Sequence, residues 1–500
     1  MTDGVALDAI AATTPELQRR TQAPPRDLDV EIVSGPPMPQ AVRFLQLYAF
    51  VLMVIPSDNV VKAIGGGAHL AALIGMGGFA WWGASLLLGQ HDGRPYRSPI
   101  RLTFIVLWVC TLVSYAVMHL DEQPMLELNS ADRFLMQLAS WTGVAMIAVE
   151  GCNTMVDFRK ILRVLSIGGA ICGCIAAVQF WMGIDLAQYL RTIPGFSVNY
   201  ENAGIMSRFS LARVAGTSIH PIELGVVAAA LLPISIFSAR IETRRSDLQR
   251  WLPTLLITVS VVVSVSRSAI LTVVLSLGIF IGCLAPKPRA IALLVSPFVL
   301  VGTFMGAPGL IGTLRSYFSM GSDDPSVATR QSDYPLVERL VREAPWFGRG
   351  GGTYIAPNAI DILDNEYLKM MIEFGLIGAI LIIVSYMIFP VCLAFTARHR
   401  APRAATKELG AALGAAATVS LVCAATFDAF SFPMFGGLQA LIVGLIGAYW
   451  RFVRVEEQTV LGGPDSSHGK RREVDDGAPH AADPADRHPL TAVPDSPNPH

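Results

Sequence analysis

Apolar segments that match the hydrocarbon core of a bilayer in length recur along the whole chain. A helix of about 20 apolar residues spans that core, and the segment 367–395 is longer, with Lys369 and Glu373 as its only charged residues. Hydrophobic residues make up 52% of the 500 residues and charged residues 15%, too apolar a balance for a water-soluble fold. Backbone N–H and C=O groups in lipid must have hydrogen-bond partners within the protein, and a single apolar segment provides them by forming a helix. The sequence predicts an all-α polytopic membrane protein.

Twelve windows of the sequence have the length and apolar content of a membrane span, so we expect 12 transmembrane helices. The windows are 41–56, 69–88, 100–119, 134–149, 161–182, 222–239, 251–265, 268–284, 290–305, 367–395, 409–426 and 436–449. Lys and Arg are concentrated in alternate connections, the pattern of loops that face the cytoplasm. This bias predicts that both termini are cytoplasmic and that two long loops, 183–219 and 306–366, lie on the outer face.

The two ends of the chain differ in composition from the apolar segments. Residues 1–40 and 456–500 are rich in Pro and Asp and lack hydrophobic periodicity, which is typical of disorder. We expect two disordered cytoplasmic tails around a transmembrane domain at 41–455. The net charge of −1 offers no basic stripe for a duplex, which excludes nucleic acid as a partner. The seven cysteines lie in or beside apolar segments and imply no disulfide framework.

The polar connection between the ninth and tenth apolar segments is far longer than a usual loop. Apolar residues recur at helical spacing from 334 to 341, and a glycine-rich turn follows at 348–352. The turn lacks the Lys-Ser/Thr pair of a phosphate-binding nucleotide loop. We therefore expect a small folded cap on one membrane face and no nucleotide site.

Two arginines lie in connections that the Lys and Arg distribution assigns to the outer face. Arg213 lies at the end of the first long outer loop, and Arg267 lies where two apolar segments meet in an outer turn. A guanidinium so close to hydrocarbon is costly and usually pairs with an acid or lines a polar cavity. One interpretation is that Arg267 only caps a tight turn and extends to the membrane interface. The other is that both side chains clamp a phosphate, which suits the planar donor fork of arginine.

Two further places offer groups for proton transfer. His220 stands just before Pro221 at the start of a span, where it is either an interfacial side chain, a donor to an anion or a proton acceptor. Asp364, Asn365 and Glu366 stand at the mouth of the tenth span. They suit a helix cap and a first-turn acid. The competing role is a general base, which requires a carboxylate buried enough to raise its pKa.

Several motifs occur together in one order. RVAGTSIHP enters a span, SRSA joins two spans, and the long outer loop reads APWFGRGGGTY and then LDNEYL before a span with EFGLIG. In order and spacing this pattern resembles the O-antigen ligase and polymerase superfamily of bacterial envelope proteins. The resemblance covers roughly 213–378, and the span count extends it over most of the chain.

The resemblance implies a metal-independent C-type glycosyltransferase without a cofactor, with its active site on the outer face of the inner membrane. Such enzymes pass a glycan from an undecaprenyl diphosphate carrier to an acceptor hydroxyl on a lipid or on another carrier-linked repeat. By position, Arg213 and Arg267 become the diphosphate clamps and Arg330 a third candidate. Asp364 and His220 are then the candidate bases. The remaining residues expected to contact substrate are Asn365, Glu366 and Arg349.

One departure from the family pattern bears on the acceptor. Many ligases have His-Asn before the span into which the long loop runs, whereas this chain has Asp364-Asn365. This favours a polymerase of exopolysaccharide or O-antigen type, for which a chain-length regulator would be a further partner. The alternatives are ligase-type transfer to a lipid or protein acceptor and transport of a lipid-linked sugar. Transport would be favoured by charges buried mid-span, whereas the sequence has only Lys369 and Glu373 near a span end.

Overall fold

The computed structural model describes residues 32–35, 37–61, 69–89, 98–120, 124–192, 194–198, 205–208, 211–306, 325–356, 358 and 362–461. Most of the two predicted tails, at 1–31 and 462–500, therefore lies outside the described residues, and their disorder stays a prediction. The chain forms a compact unit, Met1–Gln458, and a second unit, Thr459–His500, of which only the end of the last helix is described. The packing of the helices and the candidate site belong to the first unit.

Helices dominate the described residues. In the first half of the chain they are α1 (Pro39–Val54), α2 (Leu70–Leu87), α3 (Pro99–Met118), α4 (Met125–Gly151), α5 (Met155–Met182), the short α6 (Ala187–Arg191), α7 (Pro221–Ile241) and α8 (Asp247–Val263). The second half contributes α9 (Arg267–Cys283), α10 (Pro286–Gly306), α11 (Pro325–Glu343), α12 (Glu366–Ile382), a π-helical turn (Ile383–Ile388), α13 (Phe389–Arg400), α14 (Ala404–Cys423), a 3₁₀ turn (Ala429–Ser431) and α15 (Pro433–Leu461).

Each of the 12 apolar windows coincides with a helix, the tenth with the continuous run α12–α13. The protein is thus an all-α polytopic membrane protein, as predicted. Among the described helices, seven are long and apolar enough to cross a membrane, and α1 and α9 are shorter apolar helices. How many of the predicted 12 cross the bilayer stays a prediction.

The core of the bundle is built around α14 and α15. Most of α15 is buried, including Leu438, Leu441 and Leu445, and small side chains such as Ala412 and Ala416 let α14 pack closely against α7 and α9. Because these helices pack side by side, the amino end of α7, the carboxyl end of α14 and the amino end of α15 meet at one end of the bundle, which we call the site end.

Short strands occupy part of the first predicted outer loop. Strand β1 (Asn59–Val61) pairs antiparallel with β2 (Phe196–Val198), and β3 (Ile205–Arg208) forms a hairpin with β4 (Leu211–Val214). In that hairpin Arg213 lies opposite Met206. The loop 183–219 is therefore partly ordered where it is described, and it delivers Arg213 to the start of α7.

The predicted cap contains helix α11, which confirms the helical spacing seen at 334–341. Val337 is buried, and Leu340 and Val341 pack with it against Leu363 and Ile372 at the start of α12. Tyr334, at the edge of that face, is exposed. The apolar side of α11 thus anchors the cap to the membrane helix that follows it.

The glycine-rich turn fills a break in α12. Gly375 has φ 66° and ψ −178°, so the helical hydrogen bonds are interrupted there. The turn replaces them: Arg349 N donates to Ile372 O at 3.1 Å, and Gly350 N donates to Glu373 O at 3.0 Å. Leu376 N in turn donates to Pro345 O at 2.8 Å. The turn is therefore a packing element of the membrane helix.

Candidate functional site

Arg213 and the turn before Arg267 are in direct contact. Nε of Arg213 donates to the carbonyl oxygen of Ser264 at 3.3 Å, and Ser264 follows the last residue of α8. Val265 has φ 45°, a left-handed conformation that β-branched residues rarely adopt. Ser266 then caps α9, with Oγ accepting from Ala269 N at 3.4 Å. This tight turn brings Arg267, the first residue of α9, to the same end of the bundle as Arg213.

His220 lies beside Arg213 at the amino end of α7. Its Nδ1 accepts a hydrogen bond from Ile222 N at 3.2 Å and caps the helix. Burial, and secondarily the Arg213 charge, lower the pKa of His220 to about 4. The ring is therefore neutral at pH 7, and because Nδ1 accepts, the proton resides on Nε2. His220 is consequently a hydrogen-bond donor at Nε2 next to the arginines.

The chain between Arg213 and His220 is held by buried polar contacts. Gln179 on α5 accepts from Gly216 N at 2.8 Å, and Thr217 Oγ1 donates to Met53 O at 2.7 Å. Thr217 O accepts from Ser57 N at 3.0 Å. These contacts to α1 and α5 fix the segment, so its side chains are presented in one arrangement.

Glu223 fastens this segment to the last helix. One carboxylate oxygen accepts from Ile219 N at 2.9 Å, and the other accepts from Met434 N at 2.8 Å and Phe435 N at 3.2 Å. The side chain is fully buried. Its charge is thus balanced by amide donors at two helix starts, which gives it a structural role.

A second group of charged side chains lies at the amino end of α12. We call Glu366, Lys369, Glu373 and Asp428 the acidic cluster. Lys369 donates to Ser431 and lies 4.0 Å from the Glu373 carboxylate, while Glu366 Oε2 accepts from Phe430 N at 3.1 Å. Burial raises the pKa of Asp428, and the charge of Lys369 opposes that rise. One ammonium is thus shared among three carboxylates, so the cluster can hold a proton.

The connection from Asp428 to Phe435 joins the two groups of residues. On one side Phe430 and Ser431 contact Glu366 and Lys369. On the other side the Phe432 ring packs against His220, with centroids 6.0 Å apart. The arginines with His220, and the acidic cluster, therefore line opposite sides of one short connection.

The residues predicted at the tenth span have distinct roles. Asn365 caps α12, accepting from Tyr367 N at 3.0 Å and Leu368 N at 3.3 Å, as the capping interpretation predicted. Asp364 is exposed, whereas Glu366 is buried with an exposed fraction of 4%. A general base at Asp364 was expected to be buried, but the buried carboxylate in this stretch is that of Glu366.

Of the other two predicted contacts, Arg349 pairs with acids outside the acidic cluster and Arg330 lies outside the described side chains. Arg349 lies 3.8 Å from Glu127 on α4 and 3.6 Å from Glu343 on α11, so its charge is already balanced by two acids. The side chain of Arg330 lies outside the described residues. The roles predicted for both side chains in substrate binding stay predictions.

The sequence does not identify three members of the acidic cluster, Lys369, Glu373 and Asp428, as site residues. Lys369 and Glu373 are expected only as charges near a span end. The available signal was that Lys369 breaks the positive-inside bias at a span end, as Arg213 and Arg267 do. Its partner Asp428 is distant in sequence, and only the packing of α14 and α15 reveals it.

Comparison with known families bears directly on this arrangement. Residues 252–383 match the family described as O-antigen ligase. Over this segment the chain is similar to the O-antigen ligase family. This confirms the resemblance to the ligase and polymerase superfamily, whose members are glycosyltransferase-like enzymes acting on lipid-linked glycans. No curated protein gives a significant match to the chain.

The segment that matches the O-antigen ligase family contains some of the site residues and lacks others. It extends from α8 to the π-helical turn and includes Arg267, the cap, Glu366 and Lys369. Arg213, His220 and Asp428 lie outside the matched segment. The remaining residues of the candidate site therefore come from α7, from the hairpin before it and from the connection between α14 and α15, outside the matched segment.

Proposed function

We propose that this protein transfers glycan from an undecaprenyl diphosphate carrier to an acceptor hydroxyl on the outer face of the inner membrane. The observation that supports this most is the contact between Arg213 and the turn that begins α9, because it gathers two guanidinium groups at one membrane boundary. A polyprenyl-linked donor requires an active site at such a boundary, and its diphosphate requires cationic donors.

The chemical step is a substitution at the anomeric carbon of the donor sugar. The acceptor hydroxyl oxygen attacks that carbon while the bond to the diphosphate oxygen breaks. The electron pair leaves with the undecaprenyl diphosphate, and the hydroxyl proton passes to a carboxylate. The developing charge on the leaving group falls on oxygens that Arg213, Arg267 and the Nε2–H of His220 are suited to stabilise. No metal or cofactor takes part in this proposal.

The proton acceptor is Asp428 in this proposal. A base must be reachable by the acceptor and must have a raised pKa. Asp428 is half-buried with a raised pKa, whereas Glu366 and Glu373 are almost fully buried. Asp364, the base expected from sequence, is reachable but exposed. Asp428 therefore meets both requirements.

The acceptor in this proposal is another carrier-linked repeat, which makes the enzyme a polymerase. The support is Asp364-Asn365 at the position where many ligases have His-Asn. The ligase alternative transfers the same donor to a lipid or protein. The transport alternative has less support, because Lys369 and Glu373 lie in the first two turns of α12 and not mid-span.

The test uses the purified chain in vesicles with an undecaprenyl-diphosphate-linked glycan as both donor and acceptor. Wild type should form longer carrier-linked chains, and Arg267→Gln should slow this by about 100-fold, the usual effect of losing one transition-state donor. Arg267→Lys should retain part of the rate. Arg244→Gln, which removes an exposed arginine from the opposite end of α7, is the matched control.

Three results would overturn the proposal in different ways. An unchanged rate in Arg267→Gln would remove the arginine from the reaction. Extension only when a lipid acceptor is supplied would make the enzyme a ligase. Passage of the carrier-linked sugar across the vesicle without a new glycosidic bond would make the protein a transporter.

A further inference from the structure

A groove lined by arginines lies at the end of the bundle opposite the site. It is a partly open groove formed by α5, by the carboxyl end of α7 and by the first turns of α8, with a cavity volume of about 50 Å³. Helix α7 has 21 residues, which at about 1.5 Å per residue is close to the thickness of a bilayer core. With His220 at one end of α7 and Glu242 at the other, the groove lies at the second membrane boundary.

Four arginines line this groove: Arg159, Arg163, Arg245 and Arg250. Arg163 lies 4.0 Å from Glu242, and Arg250 lies 2.6 Å from Asp247, an acid with an exposed fraction of 84%. Within the described part of the chain, Arg159 and Arg245 have no carboxylate at ion-pair distance. The groove therefore has an excess of positive charge.

Two of the groove arginines also keep a donor without an acceptor. The Nε atoms of Arg159 and Arg250 are buried and have no hydrogen-bond partner among the residues that the structure describes. The Nε atom of Arg101, whose terminal nitrogen pairs with Glu150 at 2.5 Å, shares this property, but Arg101 does not line the groove. Buried guanidinium donors without acceptors are costly. Their arrangement suits an anion with several oxygens.

The surroundings of the groove are apolar. Ile167, Phe237 and Pro253 line it beside the arginines. Next to it on α8, Leu248, Leu252 and Leu255 recur on one helix face with exposed fractions of 73%, 42% and 60%. Trp251 is also exposed, at the position where membrane proteins favour tryptophan. The charged groove thus continues into a surface suited to acyl chains.

We propose that this groove binds the phosphodiester headgroup of an anionic phospholipid, with the acyl chains lying along α8. Basic pockets between transmembrane helices at a membrane boundary have this specificity in general. The arginines supply donors to the phosphate oxygens, and the leucines supply apolar contact that a soluble phosphate could not use. The site is separate from the glycan-transfer site and does not depend on that proposal.

The test measures lipid retention by the full chain in detergent with native mass spectrometry, comparing phosphatidylglycerol with phosphatidylcholine. Wild type should retain phosphatidylglycerol preferentially. The double variant Arg159→Gln/Arg245→Gln should bind it about 30-fold more weakly, since each of the two arginines contributes about 1 kcal/mol near a membrane surface. The matched control is Lys160→Gln/Arg244→Gln, which removes the same charge from neighbouring exposed positions that do not line the groove.

Further arms make each outcome decisive. Arg245→Gln alone changes an exposed side chain, so a weakened lipid affinity in this variant would support the site even if the double variant failed to fold. Equal loss in the control double variant would assign the effect to general surface charge and overturn the proposal. Displacement of the lipid by inorganic phosphate at equal ionic strength would make the ligand a soluble anion. Equal retention of both lipids by wild type would also overturn the proposal.

Discussion

Nε of Arg213 lies 3.3 Å from the carbonyl oxygen of Ser264, although 51 residues separate them in the chain. The contact holds the β3–β4 hairpin against the turn between α8 and α9. A guanidinium that donates through Nε in this way presents its terminal nitrogens in a fixed direction. The same hydrogen bond therefore both orients Arg213 and holds it close to the turn that carries Arg267.

The proposed base can be tested by comparing two aspartates. We expect Asp428→Asn to lower kcat at least 100-fold, because loss of a general base commonly costs about that much. Asp364→Asn should retain most of the activity, since the Asp364 side chain is exposed whereas Asp428 is half-buried beside Lys369. Steady-state rates of chain extension measure both. The reverse ranking would return the role to Asp364.

The pKa of His220 gives a prediction for pH. The folded-state pKa of about 4 lies below the ordinary 6.5, so between these values the unfolded chain binds more protons. Folding stability should therefore fall as pH drops from 6.5 towards 4, and His220→Gln should remove part of that loss. Thermal unfolding at several pH values measures it. Imidazole NMR should show a neutral His220 at about pH 6, and a charged ring there would contradict the prediction.

Glu223 should be important for stability. Its two oxygens accept three amide hydrogens, and Glu223→Gln replaces one oxygen by an amide that cannot accept. Leaving one or two buried donors unsatisfied costs about 1–3 kcal/mol each, so the unfolding temperature should fall by several degrees. Glu338→Gln, at a side chain 63% exposed, is the control. Equal unfolding temperatures of the two variants would refute the role.

The break in α12 should also depend on glycine. At φ 66° an alanine is strained, and its Cβ would collide with the backbone of Trp346 and Phe347. We expect Gly375→Ala to cost about 1–3 kcal/mol or more. Gly278→Ala on α9, where nothing lies within 4 Å of the added carbon, should be neutral or slightly stabilising. Thermal denaturation in detergent compares them, and unchanged stability of Gly375→Ala would contradict the expected strain.

The helices predicted from hydropathy agree with the structure because an apolar segment in lipid satisfies its backbone hydrogen bonds by forming a helix. The windows at 100–119 and 222–239 differ from α3 and α7 by one or two residues at most. Helix α11 was predictable from spacing, because its apolar face packs on α12.

The details that position the site were less accessible to sequence reasoning. The sequence around Gly375 does not show that the glycine-rich turn bonds to the backbone groups left free at the break in α12. The sequence around Lys369 does not show that the Asp428 carboxylate lies close to the Lys369 ammonium. Asp364 was preferred to Glu366 because position within the motif does not reveal burial. These features depend on contacts between segments far apart in sequence, which periodicity and composition do not encode.

The glycine-rich turn has a consequence for how the protein assembles. Glu373 O accepts from Ser114 Oγ at 2.6 Å as well as from Gly350 N, so a residue of α3 takes part in the same junction. The cap thus takes main-chain hydrogen-bond partners from the membrane helix α12. Excised alone, it would lack them, and during biogenesis it can reach its final shape only once the third and the tenth hydrophobic segments have come together.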